Sequence, residues 1–141
     1  MDDAPAPDQR VSIGQAAQRT GLSVHALRFY EREGLLASPV RRDAGSRRSY
    51  SEADLEWLEL CVKLRSSGMP IAAVRRYTEL VRGGAGNEAE RLTIMREHQE
   101  RLTAQIAALT GCLELVSFKV RLYEESLETG AADPVWTPAA G

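Results

Sequence analysis

Residues 12–50 read SIGQAAQRTGLSVHALRFYEREGLLASPVRRDAGSRRSY. Ser12 with Gln15 three positions later is the pattern of a capping box, which opens a helix. Ile13, Ala16 and Ala17 give that helix a narrow apolar face, small enough for a second helix to approach closely. Thr20-Gly21 stops it, because glycine accepts the left-handed cap. Leu22 plugs the turn and Ser23 caps a second helix. In it Val24, Leu27 and either Phe29 or Tyr30 face inward, while His25, Arg28 and Arg32 lie on or near the outer face. Gly34 ends it. Short antiparallel strands are expected around Leu35-Leu36 and Arg48–Tyr50, in a loop that also carries Arg41, Arg42 and Arg47.

Helix, tight turn, helix and basic loop form a DNA-reading arrangement, a helix-turn-helix with a wing. The formal charge of −2 over 141 residues argues against a nucleic-acid partner only as a total. Residues 11–50 carry seven arginines against Glu31, Glu33 and Asp43, a local +4. Residues 51–82 balance five bases against five acids, and residues 87–128 carry five bases against eight acids, a local −3. Phosphate binding needs a basic face, not a basic total.

Beyond the quoted stretch, Ser51 caps a third helix over 51–66 with Asp54 in its first turn. Leu55, Leu58, Cys61 or Val62, and Leu64 form its inner stripe, with Trp57 on the flank. Gly68 ends it, and Pro70 stands at the start of a fourth helix, where its missing N–H costs nothing. Ile71, Val74, Tyr77 or Thr78, and Val81 make that helix's apolar face. Gly83-Gly84-Ala85-Gly86 reads as a flexible break.

From Asn87 the period changes. Leu92, Met95, Gln99, Leu102, Ile106, Leu109, Leu113, Val116, Val120, Tyr123 and Leu127 alternate spacings of three and four without a slip. They are the a and d positions of a coiled coil, with only Gln99 polar. A helix over 88–128 would be about 60 Å long, too long for so small a domain to cover. The expectation is a homodimer through this seam; heptads alone leave the strand direction open.

The totals place limits on the rest. One DNA-binding unit plus an appendage fits the length. No apolar run approaches a membrane span, and residues 1–10 lack the pattern of a signal peptide. Their acidic, proline-containing composition reads as a disordered tail, and 129–141 as a flexible one. Cys61 and Cys112 make no disulfide framework, which suits a reducing cytoplasm. The organisation expected is therefore a tail over 1–10, a winged helix-turn-helix over 11–82, a linker over 83–87, a dimerisation helix over 88–128 and a tail over 129–141. The fold class is all-α with a small two-stranded wing. No nucleophile–base motif, phosphate-binding glycine loop or metal-ligand spacing points to an enzyme, a cofactor or a metal.

TGLSVHALRFYEREGLL resembles the signature of the MerR family of transcription regulators, and DLEWLELCVKLRSSGM at 54–69 resembles the family's third helix and the Gly-Met turn after it. The resemblance covers residues 12 to about 128. It implies that Arg28 and Tyr30 contact the DNA backbone, that His25 lies near base edges, and that the wing arginines grip phosphates; Ser23 opens the same helix. It also implies an antiparallel pair of long helices, each reaching its partner's DNA-binding domain. The function implied is binding of double-stranded promoter DNA and distortion of its spacer, so that RNA polymerase engages misaligned promoter elements. The wing departs from the family's Gly-aromatic-Arg-x-aromatic pattern: here it runs Gly45-Ser46-Arg47-Arg48-Ser49-Tyr50, so the choice between Arg47 and Arg48 stays open.

Metal-sensing members place cysteines at the start of the dimer helix and in a C-terminal loop. Here Asn87-Glu88 stands at the first place and no cysteine follows Cys112. Thirteen residues after 128 leave no room for a drug-binding domain. The chain therefore sits nearest the short NmlR and AdhR branch, which answers aldehydes and thiol stress. That branch's reactive cysteine lies in the third helix. Cys61 is offset from that place by about two positions, with Lys63 nearer to it, so it is a candidate thiol sensor against the simpler reading of a small buried hydrophobe. Cys112 falls at a g position beside the seam, where two copies in an antiparallel pair come near the two-fold axis, or is an inert surface thiol. Trp57, Tyr77, Met95, Phe118 and Tyr123 are a candidate lining for a small apolar ligand, though aromatics at helical spacing are more often core. The rival to a DNA-binding regulator is a coiled-coil adaptor whose basic face meets an acidic protein.

Overall fold

Both predicted caps in the quoted stretch form. A computed structural model describes residues 9–130. Ser12 Oγ accepts from Gln15 N at 3.2 Å and Gln15 Oε1 accepts from Ser12 N at 2.9 Å, opening α1 (Ile13–Thr20). Gly21, at φ 77°, closes it with its N–H on Ala17 O. Ser23 Oγ accepts from Ala26 N at 3.0 Å and opens α2 (Val24–Arg32). Gly34, at φ 66°, lets the Leu35 N–H turn back to Tyr30 O at 2.9 Å. The described residues divide into two compact units, one up to His98 and one from Gln99.

In the first unit a sheet precedes and follows these helices. β1 (Val11–Ser12), β2 (Arg41–Arg42) and β3 (Arg48–Tyr50) run in the order β1-β3-β2, both pairings antiparallel. The wing is thus three-stranded, not two-stranded. The extra strand comes from residues before α1, pairing Val11 with Tyr50 and Ser12 with Ser49. Arg10, expected in a disordered tail, is also part of this unit. Its guanidinium donates to Ser49 Oγ and Ser49 O at 2.9 Å each and to Asp54 Oδ2 at 3.4 Å. The rest of the predicted tail, 1–8, lies outside the described residues, as does 131–141 of the C-terminal one.

Leu35-Leu36 is not a strand. Both side chains are buried, and side chains take their carbonyls: Trp57 Nε1 donates to Leu35 O at 2.8 Å and Arg82 Nε to Leu36 O at 2.7 Å. Backbone acceptors satisfied in this way need no ladder.

Helix α3 (Glu52–Ser66) opens on a Ser51/Asp54 capping box and buries Leu55, Leu58 and Cys61. α4 (Ile71–Arg82) starts after Pro70, which occupies the cap, and buries Val74, Thr78 and Leu80, so Leu80 replaces Val81 on the inner face. α1 packs on α2 and α3, and α3 on α4. Ala16, Leu27, Tyr30, Leu35, Tyr50, Leu58 and Met69 stand at the centre of the core. The glycine break after α4 is tied down. Asn87 Nδ2 donates to Leu80 O at 2.7 Å, and Arg91 reaches Asn87 Oδ1 at 2.6 Å as well as the carbonyl of Gly84.

α5 runs Glu88–Thr129. Its first turns belong to the first unit, where Ile94 and Met95 pack on the core and His98 is 3% exposed. In the second unit the helix presents Ile106, Leu109, Leu113, Val116, Val120, Tyr123 and Leu127 to solvent. Leu115 and Phe118 are exposed too, although neither belongs to the predicted seam. Among the described residues no helix is long and apolar enough to cross a membrane.

Candidate nucleic-acid interface

The candidate interface is built by α2 and the wing, both in the first unit. The Ser23 cap leaves the α2 N-terminus with further unpaired N–H groups, and such helix starts favour anions. His25 and Arg28 are exposed one turn apart on α2. Arg32 is exposed as well, and its guanidinium lies over the Phe29 ring at 5.8 Å.

Tyr30 departs from expectation. It is 6% exposed and belongs to the core, edge-on to Phe29 at 6.2 Å between centroids. Desolvation first, then the nearby Cys61, raises its phenol pKa. The spacing that puts Arg28 outside turns Tyr30 inward, since two residues on a helix are about 200° apart. Its ring is a packing element of α2, not part of the outer face.

The wing tip is organised by Asp43. Asp43 Oδ1 accepts from Gly45 N at 2.9 Å and Arg47 N at 3.0 Å, and Asp43 N donates to Arg47 O at 2.8 Å. Ser46 adopts φ 61° to complete the turn, a conformation rare outside glycine. This geometry separates the two arginines the sequence left open. Arg47 is exposed, whereas Arg48 lies on β3, partly buried, with its Nε donating to Glu31 on α2. Arg42 approaches the same carboxylate at 3.7 Å. Among the described residues Arg28, Arg41 and Arg47 have no ion-pair partner. A shallow groove along the sheet is lined by Arg10, Arg41, Arg42 and Arg48, together with Asp43 and the small residues Val11, Ser12 and Ser49. Sequence reasoning missed Arg10 and Glu31, since nothing local ties them to a wing 39 and 17 residues away.

The candidate sensing residues separate. Cys61 is 1% exposed, and burial pushes its thiol up to about 11, so the reactive thiolate is scarce at neutral pH. Cys112 is exposed. Trp57 and Tyr77 stack nearly parallel at 5.8 Å, and the indole N–H is already used on Leu35. Met95, expected in the dimer seam and in a ligand pocket, packs partly buried on its own unit's core. Phe118 and Tyr123 are exposed residues of the second unit.

Residues 11–80 match the family described as MerR HTH family regulatory protein. An uncharacterized HTH-type transcriptional regulator of Haemophilus influenzae is 33% identical over 127 residues, 90% of this chain and 93% of that protein. The HTH-type transcriptional regulator AdhR of Bacillus subtilis is 36% identical over 92 residues, 65% of each chain. Among solved structures, HiNmlR, a MerR family regulator lacking the sensor domain and bound to promoter DNA, superposes with a TM-score of 0.80. It shares 32% identity with this chain and covers 92% of it and 98% of its own length.

Proposed function

We propose that this chain, which belongs to the MerR family of helix-turn-helix transcriptional regulators, acts as a homodimer that binds and distorts promoter duplex DNA. The observation that carries this reading is the face shared by α2 and the wing. A capped helix N-terminus with exposed His25 and Arg28, and a wing whose Arg41 and Arg47 have no ion-pair partner among the described residues, belong to one unit and are tied together through Glu31 and Arg48. Arg28 and Arg47 are assigned to phosphate and His25 to base edges. The likeness to a DNA-bound family member supports the assignment.

Dimerisation through α5 is supported by its exposed apolar residues. The a/d seam accounts for one side only. Leu115 and Phe118 fall at c and f positions, away from that seam, and are exposed in the single chain. An antiparallel partner whose DNA-binding domain lies against this second side would cover both. Two DNA-binding heads held by rigid helices then read two half-sites, and distortion of the DNA between them is what RNA polymerase responds to. For the signal, the reading favours a small molecule or electrophile that does not act on the Cys61 thiol.

The test is selection of bound duplexes from a random pool, followed by affinity against salt. Three free arginines on each of two protomers should cost about a thousandfold in affinity between 50 and 200 mM salt. A selected palindromic site with that slope is the expected result. Absence of salt-dependent duplex binding would favour the adaptor reading instead.

A further inference from the structure

Arg42 and Arg48 are Cα partners across the β2–β3 ladder. Like charges directly opposite each other destabilise a strand pair. The carboxylate that offsets them comes from neither strand. It is Glu31, on the last turn of α2, which accepts from Arg48 Nε and lies 3.7 Å from Arg42 Nη2. Glu31 and Arg48 are 26% and 24% exposed at their side chains, so this pair is better shielded from water than the surface pairs Arg76–Glu79 and Arg76–Glu90. Arg28, one turn before Glu31 on the same helix, has no such partner among the described residues.

We propose that Glu31 is a positioning residue for DNA recognition: it registers the wing against α2 and withholds Arg42 and Arg48 from phosphate, leaving Arg28, Arg41 and Arg47 as the contacting cations. The inference rests on the DNA-binding reading above. Phosphate contacts made by unrestrained arginines carry no sequence information. A wing released from Glu31 therefore gains affinity for any duplex. It loses the fixed spacing to α2 that ties phosphate contact to correct placement over base edges. Glu31 thus favours discrimination over raw affinity.

The test is Glu31→Gln, which keeps shape and an acceptor oxygen but removes the charge. Affinity is measured against salt on a mixed-sequence duplex and on the best duplex selected from a random pool by the wild type. The slope on the mixed duplex should steepen by about one to two units per protomer, one for each freed arginine. The ratio of selected to mixed affinity should fall several-fold. Adding Arg48→Gln to that variant should take back about one unit per protomer. Arg48→Gln alone removes a cation that does not reach phosphate, so its slope should equal the wild type's. This second variant stands even if Glu31→Gln folds poorly, which thermal unfolding reports. A merely structural Glu31 would weaken binding to both duplexes without steepening either slope, and that result overturns the proposal. A shallower slope for Arg48→Gln alone overturns it too. Wild type that binds neither duplex would instead overturn the DNA-binding reading on which the proposal rests.

Discussion

Cys61 and Cys112 show how one residue type takes opposite roles from its surroundings. Cys61 lies among Leu55, Leu58 and Met69 in the core, and desolvation raises its thiol pKa to about 11. Folding therefore keeps that thiol protonated, and its contribution falls only at alkaline pH, once the unfolded thiol ionises from about 8.5 upward. The native protein at pH 7.5 should alkylate at Cys112 and leave Cys61 unlabelled until denaturant is added, as peptide mass mapping would show. Labelling of both at equal rates would reopen the sensor reading. In a promoter reporter challenged with formaldehyde or methylglyoxal, Cys61→Ser should respond as wild type. Arg28 presents the complementary case of an exposed cation with no ion-pair partner among the described residues. Arg28→Ala should weaken binding to all duplexes and lower the salt slope by about one unit per protomer; an unchanged slope with altered base preference would make it a base reader. The sequence announced Arg28 and left Cys61 between two readings. For Tyr30 it left the inward place open between Phe29 and Tyr30, and helical geometry turns the Tyr30 ring inward, while the resemblance gave that residue a contact with the DNA backbone.

At the scale of elements, the turn chemistry was legible and the long-range ties were not. Ser12, Ser23 and Ser51 each cap the helix that the spacing assigned to them, since a cap is decided within four residues. The third strand was missed because its partner lies 37 or more residues away and its two residues carry no alternation to read. Ser23 allows capping to be separated from phosphate contact. Ser23→Ala should lower stability by about 1 kcal/mol through loss of the cap. Ser23→Asp keeps a capping oxygen, so stability should hold while duplex affinity falls at least tenfold from the added charge at the phosphate face. A Ser23→Asp variant that binds as wild type would remove the α2 N-terminus from the interface. Between α1 and α3, Arg19 is hydrogen-bonded to Glu52, and that bond holds the Glu52 carboxyl below its usual range. A depressed carboxyl contributes above its unfolded pKa of about 4.3 and loses that contribution as pH falls through the folded value. Glu52→Gln should accordingly melt slightly below wild type at pH 7, with the gap narrowing as pH falls below about 4.3. A gap that does not narrow on acidification would mean that the two side chains pack rather than pair.

At the scale of the molecule, the sequence separates a basic reading head from an acidic helix, and the structure leaves that helix's apolar surface uncovered in one chain. Ile106, Leu109 and Leu113 are 64%, 69% and 65% exposed in the middle of α5. The heptad reading is regular there, while Met95 is claimed by its own domain's core, although Leu92, the seam position before it, is 51% exposed. Ile106→Asp places a charge where a partner would bury it unpaired, which costs several kcal/mol. Light scattering should then report monomer or aggregate, with duplex binding lost, whereas a well-folded dimer would remove the coiled-coil argument. Strand direction needs a separate measurement, because heptads are silent on it. In a parallel pair each residue lies beside its own copy. In an antiparallel pair centred on the seam, the two copies of residue 127 lie about 50 Å apart, the length of helix from Leu92 to Leu127. Leu127 is 88% exposed in the single chain, and a cysteine there is open to oxidant. Leu127→Cys in a Cys112→Ser background should stay uncrosslinked under oxidant while remaining a dimer by light scattering, because a disulfide requires the two Cα atoms within about 7 Å. A disulfide-linked dimer formed in high yield from that variant would make the pair parallel. It would also separate each long helix from the partner's DNA-binding domain that Leu115 and Phe118 are proposed to meet.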